Sequence, residues 1–363
     1  MTQAKKPALG LYIHWPYCLS KCPYCDFASS VCNQIDEAIL LKGYIRDLFV
    51  FKKKFNIEKE ITSIFFGGGT PSLMSEKMFD ELINTISKIF HISPTAEISL
   101  EANPDAITKE KMKNFKASGL NRLSIGVQSL NDRDLMFLGR KHSVQTALNR
   151  IDEAKNIFNR INVDLIYARP RQSLRSWEKE LLHAISLGLK HYSLYQLTLE
   201  EGTIFFKKNI PQISETQAVK LYCLTQDIMT AHQLPAYEIS NYAAKNEECK
   251  HNLIYWRGDD YIGIGPAAHG RIQLIATENS KNIKKWLSDG PNFTSLTNKE
   301  REEEKIMMGL RLIQEGIPIK NIHPQHILTA QKRRWIYVQK NRIYPTLKGQ
   351  LLLNKLIFLL CSD

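Results

Sequence analysis

"YIHWPYCLSKCPYCDF", residues 12–27, sets Cys18, Cys22 and Cys25 in the spacing C-x3-C-x2-C directly behind a short apolar run. Phe27 stands where a fourth cysteine would close the set. Three readings compete. A structural zinc takes four ligands, with His14 or Cys32 to complete the trio. A disulfide suits an oxidising compartment. An iron–sulfur cubane is normally held by four thiolates, so three leave one iron open for a small molecule. The remaining cysteines, Cys32, Cys223, Cys249 and Cys361, are scattered and read as ordinary core or surface thiols.

Around this stretch, short apolar runs alternate with amphipathic ones. "LGLYIH" (9–14), "ITSIFF" (61–66), "EISLEAN" (97–103), "RLSIGVQ" (122–128), "INVDLIYA" (161–168) and "HYSLYQL" (191–197) read as strands. Between them lie helical stretches, among them 35–55, 75–90 with Ser75 as cap, and 108–118 closed by Gly119. The stretch 173–188 ends at Gly188, and 214–233 opens with a Ser214–Gln217 capping box. "PAYEISNYA" (235–243) is a further strand. Six βα units require a mostly parallel sheet, because each crossover needs a helix to return the chain. The expectation is an α/β protein with a partial (β/α)6 barrel over residues 1–243, a flat doubly wound sheet being the competitor. In either fold the chemistry collects at the C-terminal strand ends.

Past residue 244 the rhythm breaks. Residues 246–273 read as loop-rich and aromatic, and the tail as helix, helix, short strands, helix. That order fits a C-terminal α+β, winged-helix-like module, making residues 244–363 a second domain.

The chain has 363 residues, 43% of them hydrophobic, enough for a large core. There is no apolar run of roughly 18 residues to cross a membrane. "MTQAKKPALGLYIHW" lacks the features of a signal peptide, so a cytoplasmic location is expected. The net charge of +12 is spread along the chain, densest in "QKRRWIYVQKNRIYPTLKG" (331–349). Nucleic-acid binding through this tail is a competing reading, but there is no clear recognition helix, and no nucleic-acid partner is expected.

The cysteine stretch resembles the signature of the radical S-adenosylmethionine (SAM) superfamily. The resemblance extends along the chain through "FFGGGTPSL" (65–73), "LEANPD" (100–105), "GLNRLSIGVQSLND" (119–132), "LGRKH" (138–142), "YQLTLEEGT" (195–203), "HNLIYW" (251–256) and "YIGIGPAAHG" (261–270). Together these are similar to the oxygen-independent coproporphyrinogen III oxidase-like group, and to its heme chaperone branch, HemW. Phe27 and the short stretch before the first strand favour the chaperone branch over the decarboxylating oxidase, which is the alternative.

The resemblance implies a [4Fe-4S] cluster on Cys18, Cys22 and Cys25. It implies a SAM site lined by Tyr12, Tyr24, Gly68, Gly69, Thr70, Glu101, Gln128, Arg140 and Asp164. In the family the open iron binds SAM and an electron from the cluster cleaves it, so the cofactors carry the hard chemistry. The glycines are expected to let the backbone approach SAM and to offer free N–H groups. Heme is the implied cargo, with His251 of "HNLIYW" as candidate axial ligand, Cys249 as a second, and Tyr255 and Trp256 as packing faces. His269 is expected to line the SAM adenine pocket or cap a turn. The implied partners are an electron donor and heme-accepting proteins, membrane-associated respiratory enzymes among the candidates, with a homodimer and a peripheral place at the inner membrane face also in view. One departure stands out. Where the family has a Y-G-L-P-G-Q-T-like run, this chain has "YARPRQS" (167–173). Arg169 and Arg171 there are read either as anion-recruiting cations or as occupants of a strained loop.

Overall fold

The computed structural model describes residues 9–320 and 322–361. Six strands follow in order: β1 (Leu9–Trp15), β2 (Ile61–Gly68), β3 (Ile92–Ala102), β4 (Arg122–Gln128), β5 (Arg160–Tyr167) and β6 (His191–Gln196). They pair in parallel, each with its predecessor. Five crossover helices return the chain: α1 (Glu37–Phe55), α2 (Glu76–Ile89), α3 (Lys109–Ala117), α4 (Val144–Lys155) and α5 (Leu174–Ser186). A sixth, α6 (Glu215–Ala231), follows β6.

Local chemistry sets the helix ends. The hydroxyl of Ser75 accepts from Met78 N at 3.2 Å, capping α2. Ser214 caps α6 by accepting from Gln217 N at 3.2 Å. The expected reciprocal bond is replaced, because the Gln217 amide reaches across to the carbonyl of Gln172 at 3.3 Å. Gly119 and Gly188 follow α3 and α5 at φ +104° and +71°, where a side chain would be strained.

Sequence reading and structure part company beyond residue 234. The run 235–243 contributes only β7 (Asn241–Ala243), which pairs antiparallel with β6. The loop expected over 246–273 instead holds helix α7 (Lys250–Arg257) and strands β8 (Asp260–Ile264) and β9 (His269–Ile272). β8 pairs in parallel with β1, on the side away from β2. β9, β10 (Ile275–Glu278) and β11 (Asn292–Ser295) continue outward antiparallel. The result is one eleven-stranded sheet ordered β11-β10-β9-β8-β1-β2-β3-β4-β5-β6-β7. The division expected at residues 243 and 244 therefore passes between strands that share this sheet. β1 and β6 do not pair, so the sheet stays open.

The main core fills the space between sheet and helices and includes Trp15, Phe66, Phe79, Trp177, Tyr192 and Trp286. Trp286 lies on α8 (Ile283–Asp289) and packs on Tyr44 of α1. Buried Asp47 of α1 collects the N–H groups of Gly265, Asn279 and Trp286, at 3.1, 3.2 and 2.8 Å. That one carboxylate ties the first crossover helix to the far strands.

A second hydrophobic cluster gathers Ile306, Leu310, Ile317, Ile327, Trp335, Ile343 and Leu356. Around it stand α9 (Asn298–Gly309), α10 (Pro324–Lys332) and α11 (Leu353–Cys361). The three-stranded sheet there has the order β12 (Ile317–Pro318), β14 (Arg342–Pro345), β13 (Ile336–Gln339). Helices around a small antiparallel sheet match the expected α+β tail.

Candidate active site

The C-terminal ends of β1 to β6 converge on a cleft of about 360 Å³. Its walls hold Cys18, Cys22, Tyr24 and Cys25 from the loop after β1, and Gly69 and Thr70 from the loop after β2. Glu101 enters from β3, Gln128 from β4, Asp164 from β5 and Tyr195 from β6, with Arg140 from the loop beyond β4. A flat sheet would spread these strand ends apart, so their meeting shows how far the sheet curls.

All three cysteines are free thiols; Cys18 is buried, while Cys22 and Cys25 are half-buried. A turn closed by Cys25 N donating to Cys22 O at 3.1 Å brings the second and third together. Burial pushes the Cys25 thiol up to about 11. Among the described residues, no three His, Cys, Asp or Glu side chains converge tightly enough to hold a single metal ion. Three cysteine sulfurs on one cleft wall are donor chemistry that an iron–sulfur cluster takes.

Arg140 stands over this loop. It donates to Cys22 Sγ at 3.6 Å, to Asn103 Oδ1 at 2.6 Å and to Gly126 O at 2.8 Å. These three bonds fix the guanidinium against the cysteine loop. Tyr24 packs against Phe205 with ring centres 6.3 Å apart, closing one side of the cleft.

Glu101 and Asp164 face the cleft from neighbouring parts of the sheet. Burial, and the nearby charge of Asp164, push Glu101 up to about 8. Asp164 is raised as well by burial, against the pull of Ser193, Asn162, Arg122 and Ser124. Asn162 donates to Asp164 at 2.6 Å. The pair therefore holds a proton at neutral pH when nothing cationic lies between them. A ligand bearing a positive group would release it.

The glycine run works differently from the sequence expectation. The amides of Gly68, Gly69 and Thr70 are already bonded, to Glu101 Oε2 at 3.2 Å, Trp15 O at 2.7 Å and Tyr17 O at 2.8 Å. A Cβ on Gly69 would sit 2.5 Å from Tyr17 O. Here glycine lets the β2 turn press on the cysteine loop rather than present free donors.

Gly68 and Tyr12 line a neighbouring cleft instead. The Tyr12 hydroxyl meets His14 Nδ1 at 3.0 Å. Asn103, absent from the expected set, clamps the site by bonding both Arg140 and, at 3.2 Å, Thr70 Oγ1. Its signal was the strand period of two, which puts it on the same face as Glu101.

His251 lies elsewhere, 1% exposed between α7 and the sheet. Its Nδ1 meets Ser63 Oγ at 2.7 Å and its Nε2 meets Tyr255 OH at 2.6 Å. Phe65 stacks on its face at 5.2 Å. Burial pushes the ring down to about 3, so it is neutral, with both nitrogens engaged. As folded here it has no free lone pair for a metal. Cys249 is also fully buried and bonds Glu97 at 3.3 Å. Burial alone would raise Glu97, but Arg122, Arg160 and the amides at the α7 N-terminus outweigh it and hold Glu97 low.

The departure at 167–173 also resolves. Ala168 and Arg171 adopt φ of 61° and 63°, the left-handed region where glycine sits without strain. Arg169 is buried, donates to Ile166 O at 2.9 Å, and pairs with Glu180 and with Asp134 at 3.1 Å. It is a structural cation and not an anion receptor.

The radical SAM superfamily model matches residues 12–183. The heme chaperone HemW of Buchnera aphidicola subsp. Acyrthosiphon pisum is 34% identical over 97% of this chain and 98% of its own length. The chain belongs to the HemW group of the radical SAM superfamily. HemW of Bacillus subtilis is 31% identical over 95% of this chain and 97% of the relative. The mitochondrial radical SAM domain-containing protein 1 of Danio rerio is 37% identical over 85% of this chain and 73% of its own length. Among solved structures, coproporphyrinogen III oxidase HemN of Escherichia coli superposes with a TM-score of 0.82 at 19% identity, covering 99% of this chain and 92% of that one. At that identity it supports the fold. Membership of the radical SAM superfamily implies SAM and a [4Fe-4S] cluster as cofactors.

Proposed function

We propose that this HemW-group chain is a heme chaperone that carries a [4Fe-4S] cluster and SAM and delivers heme to acceptor proteins. The observation that carries the reading is the set of three free thiols facing one cleft built by six parallel strand ends, in a chain that HemW relatives match almost end to end. Cys18, Cys22 and Cys25 would hold the cluster. Bound there, the cluster would supply an open coordination site and an electron for SAM chemistry.

The protein's own residues do the rest. Glu101 and Asp164 exchange their shared proton for the ligand's ammonium or sulfonium charge. Arg140 steadies the sulfurs, and Tyr24 with Phe205 keeps water from the loop. Gln128, at φ 69° on the end of β4, is turned toward the cleft wall. An electron donor, heme-accepting respiratory enzymes at the inner membrane face and self-association are the partners this reading calls for. Among the described residues no helix is long and apolar enough to cross a membrane.

Anaerobic reconstitution tests the reading, with iron and sulfide counted and hemin titrated on the same sample. Cluster iron together with a Soret shift is expected. Zinc in place of iron, or no Soret shift, would refute it. So would a vinyl-bearing product from coproporphyrinogen III incubated with SAM and reductant, the outcome expected of the oxidase.

A further inference from the structure

Beside the cysteine cleft lies a second cleft of about 660 Å³. The two share Lys21, Asp26, Phe27 and Glu101, so the cysteine loop forms the partition between them. On the far side the walls come from Tyr255, Tyr261, His269, Lys281 and Met308. Tyr255 and Tyr261 meet edge to face, ring centres 4.4 Å apart, and present an aromatic wall. The volume lies within the range of small-ligand sites.

Two histidines line this cleft, and they differ in what they have free. His14 is buried, with Nδ1 on the Tyr12 hydroxyl and Nε2 at 2.8 Å from Ala28 O. His269 opens β9 with 52% of its side chain exposed. Its nearest carboxylate, Glu278, is 3.9 Å from Nε2, beyond hydrogen-bond reach. Among the described residues no hydrogen bond reaches its ring. His269 is the imidazole in this cleft with a nitrogen to give.

We infer that the second cleft docks the iron tetrapyrrole and that His269 supplies a nitrogen ligand to its iron. The inference rests on the heme-chaperone reading above. It also gives "HNLIYW" a physical role. Tyr255 of that motif forms the cleft wall, and His251 stands behind it, fixing the Tyr255 hydroxyl at 2.6 Å. The motif shapes the pocket, and the ligand comes from "GPAAHG", eighteen residues on from His251. Phe27, 55% exposed, stands at the rim of both clefts, where a flat macrocycle would lie against it. Exposed Lys281 faces a propionate. Ligation forms one N–Fe bond as a water or weaker ligand leaves the iron, and no electron moves.

The test titrates hemin, and separately iron-free protoporphyrin IX, into cluster-reconstituted wild type, His269→Ala and Lys281→Glu. For His269→Ala, hemin affinity should fall roughly tenfold or more. Its Soret band should move, added imidazole should restore the wild-type spectrum, and protoporphyrin binding should hold. Lys281→Glu should weaken both probes. Wild-type hemin affinity and spectrum in His269→Ala would overturn the ligand assignment and leave the chaperone reading standing. Equal loss of hemin and protoporphyrin without imidazole rescue would overturn it too, by showing a structural role. If wild type binds no hemin, the chaperone reading itself fails, and this inference with it.

Discussion

Glu101→Gln should stabilise the unliganded chain, and the gain should grow with pH. Glu101 starts from an ordinary value of 4.5 and is pushed up to about 8 by burial and by Asp164. Between those values the native state holds a proton that the unfolded chain has released. The native state therefore binds more protons, and stability falls as pH rises through the window. Taken at face value the displacement corresponds to about 4–5 kcal/mol. Glu101 lies on a cleft wall partly open to water, so about 2 kcal/mol is the working figure. Glutamine keeps an acceptor for Gly68 N, now at 3.2 Å, and carries no charge toward Asp164. Urea unfolding followed by tryptophan fluorescence, at about pH 5 and about pH 8.5, measures the difference. The variant should match wild type at the lower pH and exceed it by about 2 kcal/mol at the higher. An equal gain at both pH values, or none at either, would refute the shared-proton account. The same substitution should weaken SAM, since stability lost to two facing carboxylates is what a cationic ligand recovers.

Cys18→Ser, Cys22→Ser or Cys25→Ser should each strip most iron and sulfide from reconstituted protein, whereas Cys249→Ser should retain both, because Cys249 is buried against Glu97 away from the cleft; colorimetric iron counts decide. Asp47→Ala leaves three buried donors, on Gly265, Asn279 and Trp286, without their acceptor and should cost about 3 kcal/mol, read from the urea midpoint. Arg171→Gly relieves an exposed left-handed residue at φ 63° and should gain about 0.5–1 kcal/mol, so a lowered melting temperature would contradict the strain reading.

Much of the site was legible because strand ends and short motifs are local signals. The period of two put Glu101 at the mouth of β3, and the alternation of runs put the cysteines after β1. Ser75, Gly119 and Gly188 marked helix ends through capping chemistry that operates over three or four residues. β8 was harder, since "DYIGI" is short and glycine-bearing, and it earns its place by a parallel register with β1, some 250 residues earlier. No local pattern encodes that partner.

The sequence alone determined the alternating architecture and the sulfur trio, and it pointed to several residues of the first cleft while missing Asn103 and misplacing Tyr12 and Gly68, because each of these signals is local to one element. The tertiary structure decided which polar groups remain available. It locked His251 between Ser63 and Tyr255, spent the glycine-run amides on Trp15 and Tyr17, turned Arg169 inward to Glu180, and left His269 facing open space. Availability is set by what packs against a group from distant parts of the chain, and burial and hydrogen-bond competition appear only when those parts meet.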